Sequence, residues 1–367
     1  MGAAAHAEAR SAEPETPSSR YDVLGFLFTN RCNFKCRHCC AESHSRSAEL
    51  MEIGDILERI DEAASYPHFM EIGISGGEPF LYRKHLAAIC RHAAERGLSV
   101  AVTTNAFWAL SPEAATERLR GLRDDGLRCL NISTSQFHLE FIHPDRLRYA
   151  ARAGVSLGLI VRVNCVFTNS FGVDDARALF GDVADAVEFI HIPCVPSGRA
   201  AEAVAAGDFP VHSGIPYGTC AKHFTKLAIS TSGDVFPCCS PGGFTEPLKV
   251  GNVWEQTIGE VLESLDDNLL VQVLSAFGPA FFVPFVSERL GAPPAGPFVD
   301  QCHLCHTMMS DTTMRAVIAE ALDQLRRDLA SLEWDVTTLA HEAWHAAGAD
   351  VGGGPEALTV AEGKGGV

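Results

Sequence analysis

The sequence predicts an α/β protein in which a partial (β/α)6, TIM-like barrel of parallel strands precedes a small α+β region. Six apolar runs of strand length alternate with five helix-like stretches, which is the pattern of parallel βα units. These units lie within residues 21–200, a span too short for the eight units of a complete barrel. An open doubly wound sheet is the alternative that this pattern leaves.

Short loops join the expected elements. We expect strands at residues 21–28, 69–75, 98–104, 127–134, 157–167 and 187–193. We expect the intervening helices at residues 49–65, 83–96, 112–124, 144–153 and 174–186. Ser111 before Pro112 illustrates the start signals, because serine caps a helix and proline suits its first position. The nearly continuous apolar strands indicate burial on both faces of the sheet.

The later part of the chain has a different pattern. It contains a hairpin turning at Gly233, a helix over 258–275, a Pro-, Gly- and Phe-rich stretch at 277–297, and a helix over 312–332. We therefore divide the chain into five regions. They are a disordered extension (1–20), the partial barrel (21–209), the small α+β domain (210–310), a helical extension (311–347) and a Gly-rich flexible tail (348–367).

Composition excludes several classes of protein. The 47% of hydrophobic residues and 20% of charged residues predict a buried core rather than a disordered chain. The formal charge of −17 argues against a nucleic acid or an anionic membrane as partner, because phosphate binding needs clustered Lys and Arg. With no apolar run of about 18 residues and no signal peptide, we expect no membrane association and a cytoplasmic location.

The positions of the 13 cysteines indicate their roles better than their number does. An odd count in a long chain without an export signal does not indicate a disulfide framework. Four single cysteines among apolar neighbours are expected to be buried and to act as small hydrophobic side chains: Cys90, Cys129, Cys165 and Cys194. Seven others form two patterned groups.

The first group is Cys32, Cys36 and Cys39, directly after the first predicted strand. Three thiolates on one loop can each bind a different iron of a [4Fe-4S] cluster, whose complete set is four ligands. One iron then stays open for a small molecule. A zinc loop with His38 as the fourth ligand is the alternative, and Cys40, which points elsewhere, is not an expected ligand.

This CxxxCxxC loop resembles that of the radical S-adenosylmethionine (SAM) superfamily, in which an aromatic residue stands where this chain has His38. The resemblance covers residues 21–199. It includes Gly76, Gly77, Glu78 and Pro79, which look like the superfamily's motif for the methionyl amino group of SAM. The glycines would let the ligand approach the backbone, and the Glu78 carboxylate would pair with the ammonium. A tight turn is the alternative for this tetrapeptide.

Weaker matches lie at the ends of later strands, where α/β barrels build their sites. By resemblance, these residues would contact the carboxylate and ribose of SAM, although ordinary strand-end polar residues would look the same: Thr104, Asn105, Ser133, Ser135 and Asn164. After the sixth strand, residues 196–200 with Arg199 resemble the P-x-G-R-A segment of the peptide-modifying branch.

The second cysteine group is Cys220, Cys238, Cys302 and Cys305. The spacing of the first two around Gly233 resembles the opening of the SPASM and shorter twitch domains, which hold auxiliary iron–sulfur clusters. The resemblance implies one auxiliary [4Fe-4S] cluster with all four thiolates as ligands, and Cys239 as a spare or substitute. A four-cysteine zinc site is the alternative.

Several histidines carry weaker signals. His138, Glu140 and His143 follow the fourth strand and could contact substrate or move protons, whereas loop packing is the plainer interpretation. His341 and His345 are spaced to share one face of a helix, and we interpret them as part of a solvated helix end rather than as metal ligands.

The resemblance implies an enzyme of oxidoreductase type that cleaves SAM reductively to a 5′-deoxyadenosyl radical, which abstracts a substrate hydrogen. It implies two [4Fe-4S] clusters and an electron donor such as flavodoxin or ferredoxin. The expected substrate is a ribosomally made precursor peptide that is crosslinked, epimerised or oxidised. With about 20 residues before the first strand, we expect a separate leader-recognition protein. The alternatives are a small metabolite such as an aminoglycoside-like sugar, and a non-catalytic iron–sulfur or zinc protein.

Overall fold

A computed structural model describes residues 17–340. The expected tail, most of the expected N-terminal extension, and both His341 and His345 lie outside these residues. One nine-stranded sheet forms the centre, in the order β6-β5-β4-β3-β2-β1-β7-β8-β9. Its strands are β1 Val23–Thr29, β2 Glu71–Gly76, β3 Ser99–Thr104, β4 Leu127–Thr134, β5 Ile160–Phe167, β6 Glu188–Pro193, β7 Lys226–Ile229, β8 Asp234–Phe236 and β9 Gly251–Asn252.

The first six strands are parallel and follow sequence order across the sheet. A doubly wound sheet would reverse direction part-way, so the predicted partial barrel is confirmed. The α-helices are α1 Ile53–Ala63, α2 Arg83–Glu95, α3 Pro112–Asp124, α4 Pro144–Ser156, α5 Val173–Phe180, α6 Ala200–Ala203, α7 Ile258–Asp266, α8 Leu269–Phe277, α9 Val283–Leu290, α10 Gln301–Ser310 and α11 Thr312–Leu332.

Three helix predictions need correction. The helix expected over 174–186 ends at Phe180, where Gly181 has φ +58° and a 3-10 turn follows. The single helix expected over 258–275 is two helices, because the Asn268 side chain caps a new one by accepting from Val271 N. The Pro-, Gly- and Phe-rich stretch at 277–297, where no helix was predicted, contains α9, since a proline in the first turn is compatible with a helix.

Burial on both faces of the strands is also wrong. In β1 to β5 alternate residues, such as Phe26, Ile74 and Val102, are buried, whereas the residues between them are mostly half-buried and small or polar; β6 has no buried residue. The half-buried residues of β1 to β5 include Gly25, Gly73, Ser75, Thr103, Asn131, Ser133 and Asn164. Complete TIM barrels fill their interior with bulky branched side chains. This partial barrel instead has a concave face lined by small and polar groups.

The predicted hairpin does not form a sheet of its own. β7 lies parallel to β1, with Val23 opposite Lys226, and β8 pairs antiparallel to β7. Tyr21, which is fully buried, donates from its hydroxyl to Pro237 O at 3.1 Å, directly before Cys238. The two cysteine regions therefore share one sheet, and the four singly placed cysteines are buried as expected.

Across the described residues, no single helix has the length and apolar character needed to cross a membrane. α8 and the segment Pro279–Leu290 meet the test only together, and they are bent by 108°.

Candidate catalytic and auxiliary cysteine sites

The first cysteine group lies on the loop between β1 and α1, at the carboxyl end of the parallel strands. Cys32 N donates to His44 O at 3.2 Å, which closes the loop on itself, and Cys39 N donates to Cys36 O at 3.2 Å. We call residues 32–40 the cysteine loop. Its position is where barrels of this kind carry their chemistry.

Burial strongly affects two of the three thiols. Cys36 is buried and Cys32 is half-buried, and burial raises the pKa of Cys32 to about 11 and that of Cys36 to about 12. The neighbouring thiols raise the pKa of Cys36 further, whereas the Arg199 charge lowers it. Both groups are therefore protonated at neutral pH in the metal-free chain. Because iron binds thiolates, ligation must release these protons.

Residues 135–141 after β4 hold the outer side of the cysteine loop. Phe34 stacks on Phe141 with ring centroids 5.3 Å apart, and His38 stacks on Phe137 at 5.0 Å. Arg37 donates to the Glu140 carboxylate at 2.6 Å. The side chains between the cysteines thus make contacts that fix the loop. The plainer interpretation of Glu140, as a packing and ion-pairing residue, fits this structure.

Ser135, a predicted SAM contact, has a side-chain partner within the chain. The buried Ser135 hydroxyl lies 2.8 Å from His138 Nδ1. Burial lowers the pKa of His138 to about 4, so its imidazole is neutral at physiological pH. Ser133 and Asn164 are half-buried and lie opposite each other on β4 and β5. Those two remain predicted SAM contacts, while His143 is exposed and caps α4 by accepting from Asp145 N.

Gly76 and Gly77 are needed for a close approach of two backbone segments. A Cβ on Gly76 would lie 2.4 Å from Thr29 O, and one on Gly77 would lie 2.1 Å from Arg31 O. Gly77 N donates to Thr29 O at 2.5 Å, and Glu78 N donates to Arg31 O at 2.9 Å. We expected these glycines to make room for SAM. In the structure they also make room for the backbone of residues 29–31, directly before the cysteine loop, and their contact with SAM stays a prediction.

The carboxylate of Glu78 is fully buried and accepts three hydrogen bonds from its own chain. The donors are Phe80 N at 3.0 Å, Thr104 Oγ1 at 2.8 Å and Asn105 N at 2.7 Å. Burial raises the pKa of Glu78 to about 7, against the lowering effect of these bonds. A carboxylate has about four acceptor positions, so roughly one is left for the predicted ammonium. Glu78 joins the ends of β2 and β3, and Pro79 begins the 3-10 turn that follows.

Thr104 differs from its expected role. Its hydroxyl donates to Glu78 and accepts from Ala106 N at 3.1 Å and Trp108 Nε1 at 3.0 Å. This uses the full capacity of a hydroxyl, so the side chain is not free to bind SAM. The Asn105 amide instead reaches the cysteine loop, where Nδ2 lies 3.1 Å from Asn33 Oδ1 and 3.8 Å from Cys32 Sγ.

The second cysteine group lines one small, largely enclosed cavity. All four expected ligands contribute to it, namely Cys220, Cys238, Cys302 and Cys305. Cys302 and Cys305 lie on α10, which the sequence analysis did not expect to be helical. Gly242 and Gly243 allow the approach, because a Cβ on Gly242 would lie 2.6 Å from Cys302 O and one on Gly243 would lie 2.4 Å from Cys238 Sγ.

Three polar residues around this cavity were missed from the sequence: His223, Ser240 and Gln301. Ser240 Oγ lies 3.4 Å from Cys238 Sγ. Its position two residues after Cys238 was the sequence signal that could have placed it near this cavity. Burial raises the pKa of Cys302 to about 12 and that of Cys305 well above its ordinary value. Cys239, the expected spare, is exposed.

Both donor sets fit the groups that the sequence implies. Within residues 17–340, no three His, Cys, Asp or Glu side chains are grouped as one metal ion would require. Thiolates are the usual ligands of iron–sulfur clusters, in which each thiolate binds its own iron. The cysteine loop offers three such donors beside a polar concave face, and the enclosed cavity offers four.

Comparisons with known proteins agree with this division of the chain. The sequence model of the radical SAM superfamily matches residues 26–157, and that of the SPASM iron–sulfur cluster-binding domain matches residues 220–268. The Bacillus subtilis protein YydG, named as a candidate peptide biosynthesis protein, is 23% identical over 264 residues, which are 71% of this chain and 82% of YydG.

Two further matches are more partial or more distant. The GTP 3′,8-cyclase of Geobacter sulfurreducens is 33% identical over 141 residues, 37% of this chain and 39% of that enzyme. The structure of anSMEcpe with bound AdoMet and a Cp18Cys peptide has a TM-score of 0.48 and 12% identity, covering 84% of this chain and 99% of that one. The two matches identify a radical SAM domain over residues 26–157 and a SPASM iron–sulfur domain over residues 220–268.

Proposed function

We propose that this enzyme cleaves SAM reductively and uses the resulting 5′-deoxyadenosyl radical to abstract a hydrogen atom from a ribosomally made peptide. When bound, the catalytic [4Fe-4S] cluster supplies the electron, and a flavodoxin or ferredoxin would deliver it to the protein. Cys32, Cys36 and Cys39 are the proposed ligands. The second, auxiliary cluster would be held by Cys220, Cys238, Cys302 and Cys305.

One observation carries the enzyme assignment. Three thiol-bearing residues lie on one loop beside a half-exposed concave face of small and polar side chains. Three protein ligands leave one iron of a cubane cluster open, and the concave face offers space and hydrogen-bonding groups for SAM and a substrate. Ser133 and Asn164, side by side on that face, are the proposed polar contacts with SAM.

The contribution of the protein is orientation and exclusion of competing reactions. Glu78 fixes the loop after β3, and through Asn105 it fixes the first cysteine. Residues 135–141 fix the outer side of the cysteine loop. The chain thereby holds its thiols in place without relying on a ligand to order them.

The match to YydG supports a peptide substrate, because it spans most of both chains and that relative is named for peptide biosynthesis. The peptide would be crosslinked, epimerised or oxidised, and a separate protein would recognise its leader. A small metabolite is the competing substrate class. It is favoured by the more local match to an enzyme named for the nucleotide GTP.

The test is anaerobic reconstitution with iron and sulfide, followed by reduction and addition of SAM. We expect 5′-deoxyadenosine, measured by mass spectrometry. Peptides encoded by short reading frames beside the gene would then be supplied with deuterated side chains and α-carbons. Transfer of deuterium into 5′-deoxyadenosine, in any peptide, supports the proposal. No SAM cleavage by the reduced protein would refute an enzyme of this kind, and transfer only from a metabolite would refute the peptide.

A further inference from the structure

Residues 196–200, which we call the clamp segment, follow β6 and contact the main chain of the cysteine loop. Arg199 N donates to Cys39 O at 3.2 Å, and Arg199 Nε donates to Cys36 O at 3.0 Å. One residue therefore binds the main chain at two of the three proposed ligands. The next residue, Ala200, is fully buried and anchors the segment in the core.

Gly198 makes this approach possible. Its φ is +53°, in the left-handed region that favours glycine. A Cβ at this position would lie 2.5 Å from Cys40 O and 2.8 Å from Cys39 O. Any larger residue would push the clamp segment away from the cysteine loop, so the contact depends on both Gly198 and Arg199.

The charge of Arg199 is not neutralised by a carboxylate. It is half-buried, and among residues 17–340 no Asp or Glu lies within ion-pair distance of it. Arg37, which lies within the cysteine loop, contrasts with Arg199 because it pairs with Glu140. A cubane cluster held by three thiolates carries net negative charge, and net charge and hydrogen bonding set its reduction potential. A half-buried guanidinium at this place suits such a neighbour.

We propose that Arg199 is a positioning residue for the catalytic cluster, fixing the cysteine loop through two main-chain hydrogen bonds and supplying a countercharge to the bound cluster. This inference rests on the ligand set proposed above. The two roles are separable, because the hydrogen bonds exist in the metal-free chain whereas the countercharge acts only on the bound cluster.

The first measurement addresses the hydrogen bonds in the full-length, metal-free protein. Hydrogen exchange of peptides covering residues 32–40 is compared in Arg199→Gln, Gly198→Ala and the wild type. Arg199→Gln removes only the Nε bond to Cys36 O and predicts about fivefold faster exchange, whereas Gly198→Ala displaces both bonds and predicts about thirtyfold faster exchange. Arg46→Gln is the matched control, since Arg46 is an exposed arginine of the same β1–α1 connection. Unchanged exchange in both clamp variants would overturn the positioning role.

The second measurement addresses the charge after cluster reconstitution. Arg199→Gln should lower the reduction potential of the catalytic cluster and weaken its retention about 10- to 100-fold, as for other outer-shell partners. Arg199→Lys should keep a potential near that of the wild type, because the charge remains, while exchange of residues 32–40 still increases. Equal potentials for the Gln variant and the wild type would overturn the countercharge.

These outcomes are distinguishable from a failure of the proposed function. If the wild type binds no cluster through the cysteine loop, the proposed function fails and the countercharge fails with it, but hydrogen exchange still tests the clamp. If Arg199→Gln does not fold, the same exchange comparison is made between Arg199→Lys and Gly198→Ala. A wild-type exchange pattern in both would then refute the clamp.

Discussion

The cysteines of the two groups are buried to a similar extent, but one group is local in the sequence and the other is assembled from distant segments. The three thiols of the cysteine loop lie within eight residues of one another, and loops from the ends of β3, β4 and β6 hold them in place. The four thiols of the auxiliary cavity come from two segments separated by more than 60 residues. They meet because α10 packs against the turn at Pro241–Gly243.

If both groups hold the proposed clusters, this difference would keep one cluster open to a ligand and the other closed. A short loop with three thiols can be held from outside while the side facing the concave surface stays free for a small molecule. Four thiols around a small cavity leave no such free side. The first arrangement suits chemistry on a bound ligand, and the second suits structure or electron relay.

The largest effect is expected from removing the open site. Changing Cys32, Cys36 and Cys39 together to Ala should abolish SAM cleavage and leave the auxiliary cluster in place. Reconstituted wild type should hold about eight irons and the variant about four, at four per cubane cluster. Iron analysis and 5′-deoxyadenosine formation measure the two results. Cys40→Ala, an exposed neighbouring thiol, is the control and should behave as the wild type. SAM cleavage by the triple variant would contradict the assignment of the catalytic loop.

The next largest effect is expected at the auxiliary cavity and should not extend to the cysteine loop. Cys302→Ala should lose the auxiliary cluster and increase hydrogen exchange after residue 210, while SAM still binds at the first cluster. The reason is that the missing thiolate would leave one iron of the cluster without its proposed protein ligand. Electron paramagnetic resonance of the reduced protein would count the clusters. Cys239→Ala is the matched control, and loss of the second cluster in that variant instead would make Cys239 the true ligand.

Much of this comparison was predictable from sequence, because it depends on local signals. All six barrel strands lie where apolar runs predicted them, and both cysteine groups were recognised from spacing alone. What was missed depends on tertiary contacts. No local pattern shows that β7 would pair with β1, or that Gly76 and Gly77 would face the backbone of residues 29–31. The saturated hydroxyl of Thr104 likewise depends on Glu78 and Trp108, which reach it only in the fold.

A smaller effect is expected at Glu78, which supports the open site indirectly. Glu78→Gln keeps the shape of the side chain but replaces one carboxylate oxygen with an NH2 group, which cannot accept a hydrogen bond. A buried N–H, such as that of Asn105, therefore loses its partner. An unsatisfied buried donor costs about 1–3 kcal/mol, which should appear as a lower thermal midpoint with the cluster content unchanged. Glu140→Gln, which alters a half-exposed carboxylate paired with Arg37, is the control. Weaker SAM binding at an unchanged midpoint would instead show that the carboxylate acts on SAM and not on the fold.

The smallest effect concerns pH, and it arises at the edge of the open site. Burial lowers the pKa of His138 from 6.5 to about 4, so the unfolded chain binds its proton more readily than the folded one. The stability from the neutral His138 is therefore complete above pH 6.5 and is lost as the pH falls toward 4. Between pH 7.5 and pH 6 the loss is about 1 kcal/mol, taking 1.36 kcal/mol for each unit of pKa shift. In His138→Gln, the free energy of unfolding should fall by about 1 kcal/mol less over this interval than in the wild type. The thermal midpoint should fall correspondingly less. Because each protein is compared with itself at the two pH values, the cost of losing the Ser135 hydrogen bond cancels.

His143→Gln, at an exposed histidine of the same loop, should keep the wild-type slope of stability against pH. Equal slopes for His138→Gln and the wild type would mean that the pKa of His138 is the same in the folded and unfolded chains, which would contradict its lowering by burial.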